Sequence, residues 1–272
     1  MVNRQPTVFI AAIGSDIGRE LAFRYRDRGS RVIGTFRSPE HVEALRGVDG
    51  IDLVSCDVAD SGSVIRAAEA ITALDKPWNL FIGAVGRLEP IGSFFACDFD
   101  EWSASVTANS LGQLRLLHAI YPHRDREQTP SQVAFFVGGG INGPFRHYSA
   151  YCLGKVLLVK FCELIDDEYP DVHAVALGTG WVNTKIHRQT LAAQGRAGDN
   201  LRRTVAFVSA GGTGTPIDDI LGCLDWCFGA ERAATGGRNF SIVHDAWRDG
   251  GEALLQTLAR DSRMFKLRRD GA

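Results

Sequence analysis

The chain has 272 residues, 45% hydrophobic and 23% charged, with a formal net charge of -2 at pH 7. That length supports one large core or two modest ones, and the near-neutral balance excludes a nucleic-acid binder that works by bulk electrostatics. No apolar run approaches the ~20 residues of a membrane-spanning helix, and no basic-apolar-small leader pattern stands at the start, so the expected setting is cytoplasmic.

In chain order, short β-rich runs at 8–12, 31–35, 51–55, 80–82, 133–137, 173–177 and 239–243 alternate with longer patterns such as 17–28 and 217–228, which carry one apolar stripe. Apolar runs separated by helical periods predict strands buried on both faces. The expected fold is α/β, a single-domain, Rossmann-like doubly wound parallel sheet of about seven strands with helices on both faces. Residues 1–245 would form the domain that holds the sheet, which the motifs below make a dinucleotide-binding catalytic domain, and 246–272 an extension packing on the same or a neighbouring subunit. Between 183 and 216 the pattern is broken by Gly195, Gly198, Gly211, Gly212 and Gly214. A loop of that length is usually functional, and it is expected to be a substrate lid. The six cysteines form no CxxC pair, so neither a metal site nor a disulfide framework is expected.

The first strand runs into Gly14-Ser15-Asp16-Ile17-Gly18 and then a helix. Small residues there let a backbone approach a pyrophosphate, to which the helix N-terminus offers N–H groups and positive dipole. The second strand ends Phe36-Arg37-Ser38 without an acid for a ribose 2′-hydroxyl, while Arg37 suits a 2′-phosphate. Asp60 or Ser61 would cap the helix after the third strand. Farther on, Tyr151 and Lys155 stand four apart in a helical pattern, on one face, where an ammonium can stabilise a phenolate.

Together these segments resemble the short-chain dehydrogenase/reductase family over roughly residues 6–245. Ala12 to Gly18 is similar to its TGxxxGIG turn, with Ala12 and Asp16 at two of the glycine positions. Cys56-Asp57-Val58 resembles the DV element, which implies that Asp57 binds the adenine amine and Val58 lines its pocket. Gly83-Ala84-Val85-Gly86 stands where the family has NNAG, with both Asn lost, and Gly178 to Thr184 resembles PGxxxT, implying that Gly180, Val182 and Thr184 lie along the nicotinamide. The resemblance implies Tyr151 as acid/base, Lys155 holding the nicotinamide ribose and lowering the phenol pKa, and Asn109 holding a relay water. It also implies a homodimer or homotetramer.

One departure bears on catalysis. Thirteen residues before Tyr151 the family places a Ser that holds the substrate oxygen, and this chain has Gly138. Losing such a donor typically costs about 3 kcal/mol unless another replaces it. The candidates are the N–H groups of Gly138 to Gly140, the Asn142 amide and His147. Phe94, Phe95, Phe145, Tyr148, Trp181 and His187 are the expected walls of an apolar substrate pocket. The expected function is an NADP(H)-dependent reductase of an aromatic or alicyclic ketone or aldehyde, with no nucleic acid, membrane or metal partner. The alternatives are a catalytically silent NADP(H)-binding sensor or scaffold, and a family member with dehydratase-like chemistry.

Overall fold

The computed structural model describes residues 5–212 and 214–269, so the ends of the expected 1–245 and 246–272 units, and residue 213 of the expected lid, lie outside the described residues. In chain order the elements are β1 (Thr7–Ala11), α1 (Asp16–Asp27), β2 (Arg31–Phe36), β3 (Ile51–Ser55), α2 (Ser61–Ala73), β4 (Leu80–Gly83), α3 (Phe99–Asn109) and α4 (Leu111–Ile120). They continue with β5 (Ser131–Val137), α5 (Ser149–Glu168), β6 (Val172–Gly178), α6 (Ile186–Ala193), α7 (Asp199–Ser209), α8 (Ile217–Gly229), α9 (Arg232–Thr235), β7 (Arg238–Ser241) and α10 (Glu252–Arg260).

The seven strands form one sheet in the order β3-β2-β1-β4-β5-β6-β7, with every neighbouring pair parallel. Successive side chains of a strand point to opposite faces, and here both faces are covered. Val8 and Ile10 of β1 join Leu21 of α1 and Leu224 of α8 on one side. Phe9 and Ala11 join Val64 of α2, Leu116 of α4 and Leu158 of α5 on the other. Each of the larger side chains contributes roughly 1.5–3 kcal/mol by leaving water. Phe81 lies stacked on Phe9 at 5.5 Å and tilted against Phe135 at 5.6 Å, welding the centre of the second layer.

The sheet order reverses between β1 and β4, and in such sheets ligands bind outside the carboxyl ends of the strands at that switch point. Elements that reach this edge therefore form the site. Asp60 is the residue that caps α2, accepting from Gly62 N and Ser63 N.

The stretch 183–216 differs from the sequence expectation: it folds as α6 and α7 rather than a long loop. Its glycines punctuate helix ends, with Gly198 at φ 55° opening α7, and Gly211 and Gly212 at φ 85° and 60° following it. Ser110 at φ -134°, ψ -82° separates α3 from α4. Past β7 the chain returns across the core, where α10 buries Leu254 and Leu258 beside Trp247. The buried Arg238 guanidinium donates to the carbonyls of Leu258, Asp261 and Met264, and Asn239 N donates to Phe265 O at 2.9 Å. Among the described residues no helix is long and apolar enough to cross a membrane.

Candidate active site

A cleft of about 1280 Å³ runs along the carboxyl edge of the sheet. Its floor begins at the turn after β1, where Ala12 holds φ 63°, a left-handed backbone that favours glycine. Ser15 caps α1 by accepting from Gly18 N at 3.0 Å. A β-carbon on Gly18 would lie 2.6 Å from Ala12 O and 2.8 Å from Ser15 Oγ, so glycine is required there. Gly14 is likewise pressed against His41, whose β-carbon would stand 3.0 Å from a side chain at position 14. Gly14, Ser15, Asp16 and Ile17 line the cleft, and the first turn of α1 adds a helix N-terminus suited to an anion.

Next along the edge come Arg37 and Ser38 after β2, Asp57 and Val58 after β3, and Gly86 after β4, all lining the cleft. Arg37 is exposed, and among the described residues no ion pair includes it. Asp57 has one oxygen committed to its own loop, accepting from Ala59 N at 2.9 Å. The Val58 carbonyl presses on α4 at Gly112, where a β-carbon would come within 2.6 Å.

The chemical end of the cleft is carried by α5. Tyr151 is 9% exposed and Lys155 3%, with the ammonium nitrogen 5.7 Å from the phenol ring centre. Lys155 Nζ donates to the carbonyls of Val85 and Phe136, both at 2.8 Å. Burial drives the Lys155 pKa down to about 7 and pushes the Tyr151 phenol up. Desolvation thus outweighs the help expected from Lys155 at the phenol before any cofactor charge is added. Both groups are desolvated together, and an ammonium pressed toward its neutral form lends little field to its neighbour.

At Gly138 the structure explains the glycine. A β-carbon there would lie 2.2 Å from Tyr151 Oη, so the phenol occupies the space a side chain would take. Asn109 is fully buried and does not line the cleft. Its Oδ1 accepts from Arg87 N at 3.0 Å, and its Nδ2 donates to Arg87 O at 2.7 Å and Ser105 O at 3.0 Å. The side chain therefore braces the loop after β4, and its carbonyl accepts from Gln113 Nε2 at 2.7 Å.

Of the expected substrate residues, Asn142, Phe145, Trp181 and His187 line the cleft, as do Gly180, Val182 and Thr184 from the segment after β6. Phe145 stacks on Tyr148 at 4.4 Å, and Trp181 on His187 at 5.2 Å. Three expected residues, Phe94, Phe95 and His147, lie outside the cleft. Phe94 does not line the cleft but packs with Phe95 and Trp102 at the surface. His147, at φ 73°, turns its ring toward Gly198 at the start of α7.

Helices α6 and α7 close over the site through four polar ties. Asp16 Oδ2 accepts from Lys185 N at 2.6 Å, Gln189 Oε1 from Leu88 N at 2.8 Å, Tyr148 Oη meets Thr190 Oγ1 at 2.9 Å, and Asn200 Nδ2 donates to Arg146 O at 3.1 Å. Sequence reasoning missed Gln113, Gln189 and Thr190, since a polar residue on a helix carries no local mark of a distant partner. Asp16, expected as a cofactor-binding residue at a lost glycine position, also ties the turn after β1 to the start of α6.

The family model described as short chain dehydrogenase matches residues 6–195, more than half of the chain. Estradiol 17-beta-dehydrogenase 1 of Rattus norvegicus is 28% identical over 204 residues, 70% of this chain and 58% of that protein, so the chain matches well under two thirds of its length. An NADPH-dependent pterin aldehyde reductase of Arabidopsis thaliana is 24% identical over 66% of this chain and 76% of its own. The solved KRED1-Pglu enzyme shares the fold with a TM-score of 0.77 at 20% identity, covering 87% of this chain and 100% of that one. With its parallel seven-stranded sheet, its cleft at the switch point and a Tyr and Lys one turn apart on α5, the chain belongs to the short-chain dehydrogenase family, whose members are oxidoreductases that use a nicotinamide cofactor.

Proposed function

We propose that the protein is an NADPH-dependent reductase that converts an apolar ketone or aldehyde to the alcohol, with Tyr151 as proton donor. The observation that carries this reading is the buried phenol at the cleft floor with a buried lysine one turn along α5. Burial holds Tyr151 protonated at neutral pH, and a protonated phenol is matched to giving a proton, the need of carbonyl reduction.

The residues present fit NADP(H). Gly14, Ser15 and Asp16 line the cleft where a diphosphate would approach, Gly18 lets the turn pack on itself, and the N-terminus of α1 faces the cleft. Arg37 has no carboxylate partner among the described residues and, with Ser38, suits a 2′-phosphate. The name of the Arabidopsis thaliana relative agrees with this preference. When bound, the cofactor supplies a hydride. As an ammonium Lys155 has three N–H groups, two of them given to Val85 O and Phe136 O, which leaves one for a ribose hydroxyl. With His147 turned away, Asn142 is the remaining side-chain candidate to replace the missing Ser as a donor to the substrate oxygen, beside the N–H groups of Gly138 to Gly140. Phe145, Tyr148 and Trp181 give that end of the cleft aromatic walls, which exclude water and favour an apolar substrate.

The test is consumption of NADPH and of NADH against a panel of aromatic and alicyclic ketones and aldehydes, for the wild type and Tyr151→Phe. Turnover that prefers NADPH and disappears in Tyr151→Phe supports the reading. The absence of a side chain at Gly138 favours a second reading, a silent NADP(H)-binding sensor. Tight NADPH binding without turnover across the panel would select it.

A further inference from the structure

The turn after β4 lacks both Asn side chains that the family carries there, and a residue of α4 fills the space. A β-carbon on Gly83 would lie 2.6 Å from Gln113 Oε1 and 2.4 Å from the Phe135 ring. Gln113 is wholly buried against the second core layer, where an apolar side chain would pack without the desolvation of an amide. Its amide is used at both ends. Nε2 donates to Asn109 O at 2.7 Å, and Oε1 accepts a longer contact from Val85 N at 3.4 Å. The Asn109 carbonyl is open to it because the helix breaks at Ser110. Val85 in turn is the residue whose carbonyl accepts from Lys155 Nζ at 2.8 Å.

We propose that Gln113 is a positioning residue for Lys155: its amide ties the break between α3 and α4 to Val85, and so fixes the carbonyl that holds the ammonium, with Gly83 making the room. The glycine that reads as a loss in the sequence is then half of an exchange, in which the bracing amide has moved from the strand end to the helix opposite. The inference rests on reading Lys155 as part of the site. Facing Lys155 are the Val85 and Phe136 carbonyls and the titratable Tyr151, and among the described residues no ion pair includes it. Loss of a firmly held acceptor therefore shifts its titration without another charge to compensate.

The test uses Gln113→Met, which keeps length and removes the amide, and Gln113→Asn, which keeps an amide one methylene too short to bridge and guards against a Met variant that fails to fold. The chain has five lysines, so the Lys155 side chain can be followed directly by NMR of carbon-13 lysine in the full chain without cofactor, with Lys155→Arg to assign its signal. Burial already holds this ammonium near pKa 7. The expected result is a Lys155 titration moved down by about one pH unit in Gln113→Met and by less in Gln113→Asn. The pH limb of NADPH binding, read by nicotinamide fluorescence, should move the same way, and kcat should fall by about tenfold or more. Folded variants that melt earlier but leave the Lys155 titration and the binding limb at their wild-type positions would overturn the proposal, making Gln113 a core amide only. A wild type that reduces nothing on the panel defeats the reductase reading, and the Lys155 titration still decides the role of Gln113.

Discussion

Gly138→Ala tests whether the Tyr151 hydroxyl sits where the fold places it. The new methyl would stand 2.2 Å from Tyr151 Oη and 3.2 Å from Cζ. A nonbonded carbon–oxygen contact needs roughly 3.3 Å, so the phenol must retreat by about 1 Å. The backbone offers little help. Gly138 follows directly on the last residue of β5, Val137, which is in register with Gly178 of β6, and a β-carbon on Gly154 of α5 would already lie 2.7 Å from Asn109 Cβ. Helix α5 is thus seated on α3, and the strain falls on the Tyr151 side chain. Overpacking of this kind costs about 1–3 kcal/mol, or roughly 2–10 °C in melting temperature for a chain of this size. A reacting atom misplaced by about 1 Å loses on the order of a hundredfold in rate. The assay pairs thermal melting with kcat on whichever carbonyl the wild type reduces. Gly138→Ser should lose less, since its hydroxyl can hydrogen-bond the displaced phenol. An alanine variant that melts and turns over like the wild type, or a serine variant faster than the wild type, would refute the argument.

Three further outcomes follow from single observations. Ala12→Gly should stabilise the fold by about 0.5–1 kcal/mol in urea unfolding, because relief of the strain at φ 63° exceeds the extra freedom of glycine in the unfolded chain. His173 is 2% exposed, and its Nε2–H must donate to Thr235 Oγ1, whose own hydrogen goes to Cys227 O. Burial lowers its pKa from 6.5 to about 4, so the unfolded chain binds the proton first. Stability present above pH 6.5 is lost as pH falls toward 4, by on the order of 3 kcal/mol, and His173→Gln should flatten that slope. Arg37→Ser should weaken NADPH binding by roughly 10–100-fold and leave NADH binding nearly unchanged, as titration of nicotinamide fluorescence would report.

The strands were legible because each is a short apolar run buried on both faces: expected and observed spans of β1, β2 and β3 differ by a residue at most at either end. The Tyr151 and Lys155 pair was legible for a similar reason, since helical spacing alone puts them together on α5. Glycine was the harder residue to read. Gly198, Gly211 and Gly212 look like the breakers of a long loop, yet their left-handed backbones sit at the ends of α7 and leave its interior intact. His147 and Phe94 were placed in the pocket by proximity in sequence to Tyr151 and to the turn after β4. Their directions depend on a positive φ and on an aromatic cluster that assembles only in three dimensions. The same holds for Gln113, whose partners sit at a helix break and across the layer on the β4 turn, and for Asp16, whose partner Lys185 is 169 positions away.

The chain beyond α10 has a consequence for solubility. Strand β7 ends the sheet, and a bare edge strand offers unpaired N–H and C=O groups to other chains. Here Phe265 O takes the Asn239 N–H, and Arg238 gathers the Leu258, Asp261 and Met264 carbonyls beside it. A truncation at Asp261 would strip that cover, leave the guanidinium short of an acceptor and take Phe265, Lys266 and Leu267 out of the cleft wall, exposing an adhesive rim while Gly14, Arg37 and Asp57 stay in place across the sheet. Such a fragment should bind nucleotide in fresh preparations and be lost to aggregation on standing.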